Sequence, residues 1–338
     1  MKDMETIRQA AEIVKRGGIV AFPTETVYGL GADVFNPLAV ARVFEVKQRP
    51  YFDPLIVHIA SYNDLEKLVM EIPSDAKGLM GRFWPGPLTV VLLKRTEVPD
   101  LVTAGLPTVA VRMPKHPMTL RLIELVGSPI VGPSANPFGY LSPTTAEHVQ
   151  DQLGGQIDFI LDGGPCEVGV ESTILSFSER KPRLLRPGGV PIEEIQSIIG
   201  EVEMIPTGGG RPSAPGMLPK HYAPRTPIKL DWSKKDLDSY RDKKIGLLAF
   251  QEPENFSKFH QVEVLSRQGD FREAAANLFS AIRRLDALNL DLILAEAIPK
   301  VGLGRAIMDR LRRASQSLTS PPLEGWEKGE GNCCDSEV

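Results

Sequence analysis

Residues 19–31, IVAFPTETVYGLG, place a polar loop directly after a short apolar run. Residues 19–22 have the composition of a buried strand, and Pro23 ends it because proline has no N–H to donate to a neighbouring strand. The loop carries two hydroxyls, a carboxylate and a phenol, and the glycines after it allow close backbone approach. Polar groups at the end of a buried strand form either a ligand site or a turn closed by local hydrogen bonds, and this stretch alone leaves both open.

Helices and strands alternate irregularly around this stretch. Apolar residues at positions 7, 10, 11 and 14 have helical spacing, and Gly17 and Gly18 end that helix. Asn36 before Pro37 predicts the start of a helix that runs to about residue 46. Further helices are predicted at 61–69, 119–126 and 145–153, and strands at 55–59, 88–93, 108–112, 130–131, 158–161, 173–177 and 184–185. This irregular order predicts a mixed α/β or α+β fold with a twisted mixed sheet.

A segment rich in Gly and Pro divides the chain. Residues 207–216, TGGGRPSAPG, have the composition of a linker. Beyond it, strands at 245–250 and 290–295 alternate with helices at 271–286 and 304–314, which predicts a small Rossmann-like domain. The expected division is a first domain at 1–205, a linker at 206–227, a Rossmann-like domain at 228–315 and a disordered tail at 316–338.

The composition is that of an ordinary globular protein. The 338 residues include 39 Lys and Arg against 43 Asp and Glu, for a net charge of −4, which argues against non-specific nucleic-acid binding as the main role. No apolar run approaches the roughly 20 residues of a membrane span, and residues 1–16 lack the apolar core of a signal peptide. The three cysteines form neither a disulfide framework nor a zinc site. We therefore expect a cytoplasmic protein.

Charged and hydroxyl side chains recur near predicted strand ends. Lys47 and Arg49 are two residues apart, so in extended chain they share a face and form an anion site, although a solvated charge cluster is an alternative. Ser134 and Asn136 repeat that spacing, and a turn is the alternative there.

Arg112 ends an apolar strand, where a charged group needs a partner. His58 also lies inside an apolar run, where a buried structural role is the alternative. The sequence has no GxxxxGK[ST], no GxGxxG after a strand, no HExxH and no CxxC.

Seven segments in a fixed order resemble the YrdC-like threonylcarbamoyl-AMP synthases. They are FPTETVYGLGAD (22–33), KQRP with PLIVH (47–50 and 54–58), FWPGPLT (83–89), VAVRMP (109–114), PSANPFGYLSPT (133–144), VGVEST (168–173) and LLRPGG (184–189). Segments 214–217 and 220–224 resemble the linker of the two-domain members, and 302–307 and 309–311 resemble their second domain. The resemblance extends to about residue 314.

The resemblance implies a reaction and its partners. The family makes threonylcarbamoyl-AMP and pyrophosphate from L-threonine, bicarbonate and ATP, and a downstream threonylcarbamoyl transferase complex modifies tRNA with the product. It implies ATP as a substrate, with Mg²⁺, and neither a tightly bound cofactor nor a metal held by the protein. Because the reactants are anionic, they require cations on a rigid frame, and tRNA contact is a further expectation.

The resemblance also assigns residue roles. The implied catalytic set is Lys47, Arg49, Ser134 and Asn136. The implied L-threonine site is Thr26, His58, Arg112, Gly132 and Ser172. The implied ATP site is Arg49, Asp53, Thr108, Ser134, Ser142, Arg186 and Tyr222. Asp53 stands where many members have Asn, so a contact to phosphate, to Mg²⁺ or to a ribose hydroxyl stays open.

Two other readings of the sequence remain. One is a binding module for double-stranded RNA or tRNA that uses the same basic concavity. The other is a carbamoyl transferase of the hydrogenase-maturation type, whose zinc-finger cysteine clusters this chain's three cysteines cannot supply.

Overall fold

The computed structural model describes residues 2–205, 212–218, 221–233, 236–253 and 257–316. Within them the strands form a ten-stranded mixed sheet and a separate four-stranded parallel sheet. Most of the predicted disordered tail, from residue 317 onward, lies outside the described residues, as do 206–211 and 219–220 of the predicted linker.

The large sheet contains the first ten strands in the spatial order β10-β9-β8-β4-β5-β3-β6-β2-β1-β7. They are β1 Val20–Phe22, β2 Gly29–Asp33, β3 Ile56–His58, β4 Leu88–Leu93, β5 Thr108–Arg112, β6 Ile130–Val131, β7 Phe159–Ile160, β8 Thr173–Ser176, β9 Arg183–Arg186 and β10 Glu203–Met204. β1 pairs with β2 in antiparallel fashion, whereas β3 pairs with β5 in parallel. The predicted mixed sheet is therefore confirmed.

Among the described residues, eight helices pack around this sheet. They are α1 Lys2–Lys15, α2 Pro37–Lys47, α3 Tyr62–Glu66, α4 Ser74–Phe83, α5 Asp100–Thr103, α6 Pro117–Val126, α7 Ala146–Leu153 and α8 Ile192–Ile199. The predicted cap of α2 is confirmed, because the Asn36 side chain accepts a hydrogen bond from the Ala39 N–H at 3.2 Å. The helix predicted at 61–69 ends at Glu66, and α4 was not predicted.

The small sheet has the order β11-β14-β12-β13, and all its neighbouring strands are parallel. Its elements are β11 Ile228–Lys229, the 3₁₀ helix Asp236–Tyr240, β12 Ile245–Ala249, β13 Gln261–Val264, α9 Phe271–Asp286, β14 Leu292–Ala295 and α10 Gly304–Ser315. Parallel strands joined through α9 confirm the predicted Rossmann-like arrangement.

The two sheets share an apolar contact region. One buried cluster joins Val27 and Val170, from the side of the large sheet, to Phe279 of α9 and Ile307 of α10. Tyr222 belongs to the same cluster. Among the described helices, none combines the length and the hydropathy that a bilayer span requires.

Candidate active site

A cavity with an empty volume of about 460 Å³ lies where loops of the large sheet meet the linker. We call it the central cavity. Many of the predicted site residues line it: Thr26, Arg49, His58, Arg112, Gly132, Ser134, Ser172, Arg186 and Tyr222.

Arg112 is fixed at the end of β5 by three different partners. Its Nη1 donates to Thr26 Oγ1 at 2.8 Å, its Nε donates to Gly86 O at 3.2 Å, and its Nη2 lies 2.7 Å from Glu25 Oε1. Glu25 had no predicted role of its own. The carboxylate compensates the buried guanidinium charge and holds Arg112 beside the polar loop that follows β1.

His58 lies opposite Arg112 in the parallel register of β3 and β5. Burial, with a smaller contribution from Arg112, holds the pKa of His58 well below its usual value, so the ring is neutral at neutral pH. A Cβ at Gly132 would come within 2.4 Å of His58 Nδ1. Gly132 therefore lets the backbone pass the ring closely.

Arg186 joins the wall of the cavity to the linker. Its Nη2 donates to Ser172 O at 3.0 Å and Ser172 Oγ at 3.2 Å, and its Nη1 donates to Pro215 O at 3.2 Å. Ser172 Oγ also shares a hydrogen bond with Thr89 Oγ1 at 2.7 Å. These contacts fix both the guanidinium group and the Ser172 hydroxyl.

Arg49 and Asp53 form a buried ion pair. Arg49 Nη2 is 2.9 Å from Asp53 Oδ2, and Arg49 also donates to the main-chain oxygens of Asp53 and Pro54 at 3.0 and 2.8 Å. Burial raises the pKa of the Asp53 carboxyl, although Arg49 opposes that shift. Asp53 Oδ1 has no hydrogen-bond partner within the described residues.

The predicted alternation of Lys47 and Arg49 along extended chain is wrong. Lys47 is the last residue of α2, and Gln48 has φ +52° at the helix end. Lys47 Nζ donates to Ser134 O and Asn136 O, both at 2.5 Å. Burial lowers the pKa of Lys47 well below its usual value, and the nearby Arg49 charge adds to the shift. Lys47 therefore supports the 134–136 loop from behind and does not line the cavity.

The predicted shared face of Ser134 and Asn136 is also wrong. Ser134 lines the cavity, whereas Asn136 Nδ2 donates to Pro137 O at 2.8 Å and Tyr140 O at 2.9 Å. Asn136 thus closes a turn, which was the alternative reading of this motif.

Three further predicted ATP contacts lie outside the cavity lining: Asp53, Ser142 and Thr108. Ser142 Oγ donates to Glu171 Oε1 at 2.5 Å, so it acts on a lining residue. Thr108 begins β5 and is four residues before Arg112, which places it about 13 Å away along the strand.

The linker supplies an aromatic wall. His221 and Tyr222 are both buried and line the cavity, and their ring centroids are 4.0 Å apart. Behind them, Arg310 of α10 lies 2.8 Å from Glu171 Oε2 and 5.2 Å from the Tyr222 ring centroid. Glu171 and Arg310 had no predicted role. The available signal was a charged residue on α10 within the apolar stripe of Ile307 and Leu311.

The described residues contain no group of three or more His, Cys, Asp or Glu side chains that could hold a metal ion. The cavity instead presents fixed guanidinium groups and hydroxyls inside a mixed-sheet fold. These features define an α/β protein with a small-molecule site suited to anionic ligands.

Comparison with known proteins identifies the family to which this α/β protein belongs. Residues 12–188 match the Sua5/YciO/YrdC family model, described as telomere recombination, and residues 190–316 match the model of the threonylcarbamoyl-AMP synthase C-terminal domain. The chain therefore belongs to this family, within the group of two-domain threonylcarbamoyl-AMP synthases.

Individual relatives support that membership. The chain is 46% identical to the threonylcarbamoyl-AMP synthase of Pyrococcus abyssi, over 91% of this chain and 94% of the relative. It is 43% identical to that of Bacillus subtilis, over 91% and 92%. The crystal structure of P. abyssi Sua5 complexed with L-threonine is similar with a TM-score of 0.85, covering 91% of this chain and 94% of that one.

Proposed function

We propose that the central cavity makes L-threonylcarbamoyladenylate and pyrophosphate from L-threonine, bicarbonate and ATP. The observation that carries the proposal is that Arg49, Arg112 and Arg186 line one cavity, each fixed by hydrogen bonds. The threonine carboxylate, the carbamate and the triphosphate are all anions. Preorganised guanidinium groups bring them together and stabilise charge that develops during the reaction.

The threonine subsite would be formed by Thr26, His58, Arg112, Gly132 and Ser172. Arg112 has N–H groups left for a substrate carboxylate after its three protein contacts. The neutral His58 ring and the Ser172 hydroxyl offer hydrogen bonds to the substrate hydroxyl or amine. The Pyrococcus relative was solved with L-threonine, which supports this substrate.

The chemistry requires no protein nucleophile. The threonine amine attacks the carbon of bicarbonate, and water leaves as the carbamate forms. A carbamate oxygen then attacks the α-phosphorus of ATP, and the bond from that phosphorus to the pyrophosphate oxygen breaks. Arg49, Arg186 and Ser134 would contact the phosphates and the leaving pyrophosphate.

Lys47, Asn136 and Ser142 would act indirectly in this scheme. The first two fix the loop that carries Ser134, and Ser142 orients Glu171. The role implied for Thr108 in ATP binding remains a proposal.

Mg²⁺ would enter as the ATP complex and neutralise phosphate charge. Asp53 Oδ1 is a buried carboxylate oxygen without a hydrogen-bond partner in the described chain, which suits a phosphate-bound Mg²⁺. Arg49 would contact the triphosphate from the cavity lining, and Asp53 would hold Arg49 in place through their ion pair.

The linker would act as a strap over the nucleotide. Pro215, Gly216, His221 and Tyr222 already line the cavity. Closure over ATP would keep water from the labile mixed anhydride. We place the catalytic domain at 1–205, the strap at 206–227 and the Rossmann-like domain at 228–315, in a cytoplasmic enzyme that supplies a tRNA-modifying transferase complex.

The test is pyrophosphate release by the purified protein. Release should require ATP, L-threonine and bicarbonate together, and omission of any one should abolish it. Tight tRNA binding without pyrophosphate release would instead favour the RNA-binding module.

A further inference from the structure

An arginine of the C-terminal domain reaches the wall of the central cavity. Arg310 Nε donates to Glu171 Oε2 at 2.8 Å, and its Nη1 donates to Pro187 O at 2.9 Å and to Asp309 Oδ2 at 2.7 Å. The side chains of Arg310 and Glu171 are only 1% and 7% exposed. An ion pair this buried is costly to break, because the remaining charge loses both its partner and its water.

The same guanidinium group stacks on the strap. Its carbon is 5.2 Å from the Tyr222 ring centroid, and Phe279 of α9 packs on that ring at 5.6 Å. Tyr222 has φ +63°, a backbone conformation that is uncommon for residues with a side chain. Tertiary contacts must therefore hold Tyr222 in place, and two of them, from Arg310 and Phe279, come from the C-terminal domain.

We propose that Arg310 is a positioning residue that fixes Tyr222 and Glu171 in the cavity wall, so that the C-terminal domain sets the affinity for ATP. The inference rests on the proposed function, in which Tyr222 covers the nucleotide. Arg310 contacts no reacting atom in this scheme and acts only through Tyr222 and Glu171.

The rival explanation is that Arg310 merely holds the two domains together. A matched control exists on the same helix, since Arg305 Nη2 pairs with Glu193 Oε1 of α8 at 2.9 Å. That pair also joins the two domains, but it is partly exposed, and neither residue lines the central cavity. If the KM for ATP changes in the Arg310 variants but not in the Arg305 variant, Arg310 positions the cavity wall and does not merely hold the two domains together.

The experiment compares Arg310→Met, Arg310→Lys and Arg305→Met in the full-length protein. Arg310→Met should raise the KM for ATP by about tenfold or more and the KM for threonine by less than about threefold. Arg310→Lys should fall between it and the wild type, because lysine keeps the charge but loses the planar stacking group. Arg305→Met should leave both constants within about twofold of the wild type. Equal changes in both KM values, or an Arg310→Met effect no larger than that of Arg305→Met, would overturn the inference.

A double variant tests whether the effect of Arg310→Met comes from a folding defect. Arg310→Met with Glu171→Gln removes both charges and leaves no unpaired ion, so the protein should fold. Its KM for ATP should stay raised because Tyr222 still lacks its cation, and a return to the wild-type value would refute positioning through Tyr222.

The pH profile gives a second readout. The charged and hydrogen-bonding groups near the Glu171 carboxyl are Arg310, Arg186, Ser142, His221 and Tyr222. Burial raises the pKa of Glu171, but Arg310 and Arg186 outweigh it and lower the pKa to about 2. In Arg310→Met this carboxyl should titrate at higher pH, so ATP affinity should gain a pH dependence on the acid side that the wild type does not show. An Arg310→Met profile that runs parallel to the wild-type profile would contradict the inference.

Calorimetric titration of ATP into each variant measures ATP affinity independently of turnover. Failure of the proposed function and failure of the role of Arg310 then give different results. Absence of pyrophosphate release by the wild type would defeat the proposed function. Unchanged ATP affinity in Arg310→Met, with an active wild type, would defeat only the role of Arg310.

Discussion

The three guanidinium groups of the cavity differ in how their charge is compensated. Arg49 faces Asp53 and Arg112 faces Glu25, each within 2.9 Å. Arg186 instead donates to carbonyl and hydroxyl oxygens and has no salt bridge within the described chain. Its charge is therefore the least balanced of the three, which favours it as the main contact of an incoming phosphate.

Replacing Arg49 by Lys should lower kcat/KM by at least about tenfold, or about 1.4 kcal/mol. Lysine keeps the charge, but it cannot reach the Asp53 carboxylate and two main-chain oxygens at once. Steady-state pyrophosphate release measures the effect. Arg42→Lys, which changes a surface pair with Asp158, is the control, and wild-type rates in Arg49→Lys would contradict the proposed anion site.

The free energy of unfolding should fall less on acidification in His58→Gln than in the wild type. Because the folded pKa of His58 lies well below its usual value, its neutral form stabilises the fold fully above about pH 6.5. That contribution is lost as the pH falls below 6.5, at up to about 1.4 kcal/mol per pH unit. Between pH 7 and 5 the Tm of His58→Gln should therefore fall less than that of the wild type.

Replacement of the exposed His260 by Gln is the matched control for this measurement. Its Tm should follow the wild-type curve. If His58→Gln follows it too, the ring is not held neutral by burial.

At the scale of elements, patterns among neighbouring residues predicted helices and strands more successfully than they predicted contacts between distant parts of the chain. The Asn36 cap, the helix at Ala146–Leu153 and the strand at Leu88–Leu93 were all predicted from adjacent residues. Helix α4 was missed because Gly78 and Gly81 interrupt its apolar pattern.

The predicted faces of two motifs failed because α2 continues through Lys47 and because Asn136 closes a turn. The pair of Glu171 and Arg310 spans 139 residues, and no local pattern reports such a contact. The resemblance therefore predicted most of the residues that belong to the site. It did not predict how their side chains are arranged relative to one another.

Tyr222→Ala should weaken ATP binding more than threonine binding, because the linker ring covers one side of the cavity while Arg112 and His58 are on β5 and β3. Loss of a buried ring contact costs roughly 1–3 kcal/mol, which is about 5- to 150-fold in Kd. Calorimetric titration of each ligand measures the difference. Tyr240→Ala, at an aromatic outside the cavity, is the control, and unchanged ATP affinity in Tyr222→Ala would reduce the linker to a spacer.

At the scale of the whole molecule, the cavity is assembled from segments that are far apart in sequence. The large sheet supplies Arg112 and His58, the linker supplies Tyr222, and α10 supports that ring through Arg310. The C-terminal domain is thus tied to the site by a buried ion pair and by a shared apolar cluster.

The proposed function requires that one cavity join threonine, bicarbonate and the AMP part of ATP. The most direct measurement is mass spectrometry of the nucleotides formed by the full-length protein with ATP, L-threonine and isotopically labelled bicarbonate. We expect one adduct that contains AMP, threonine and the labelled carbon, formed with one pyrophosphate per molecule. ATP consumption without a labelled adduct, or an adduct whose carbon does not come from bicarbonate, would contradict the account.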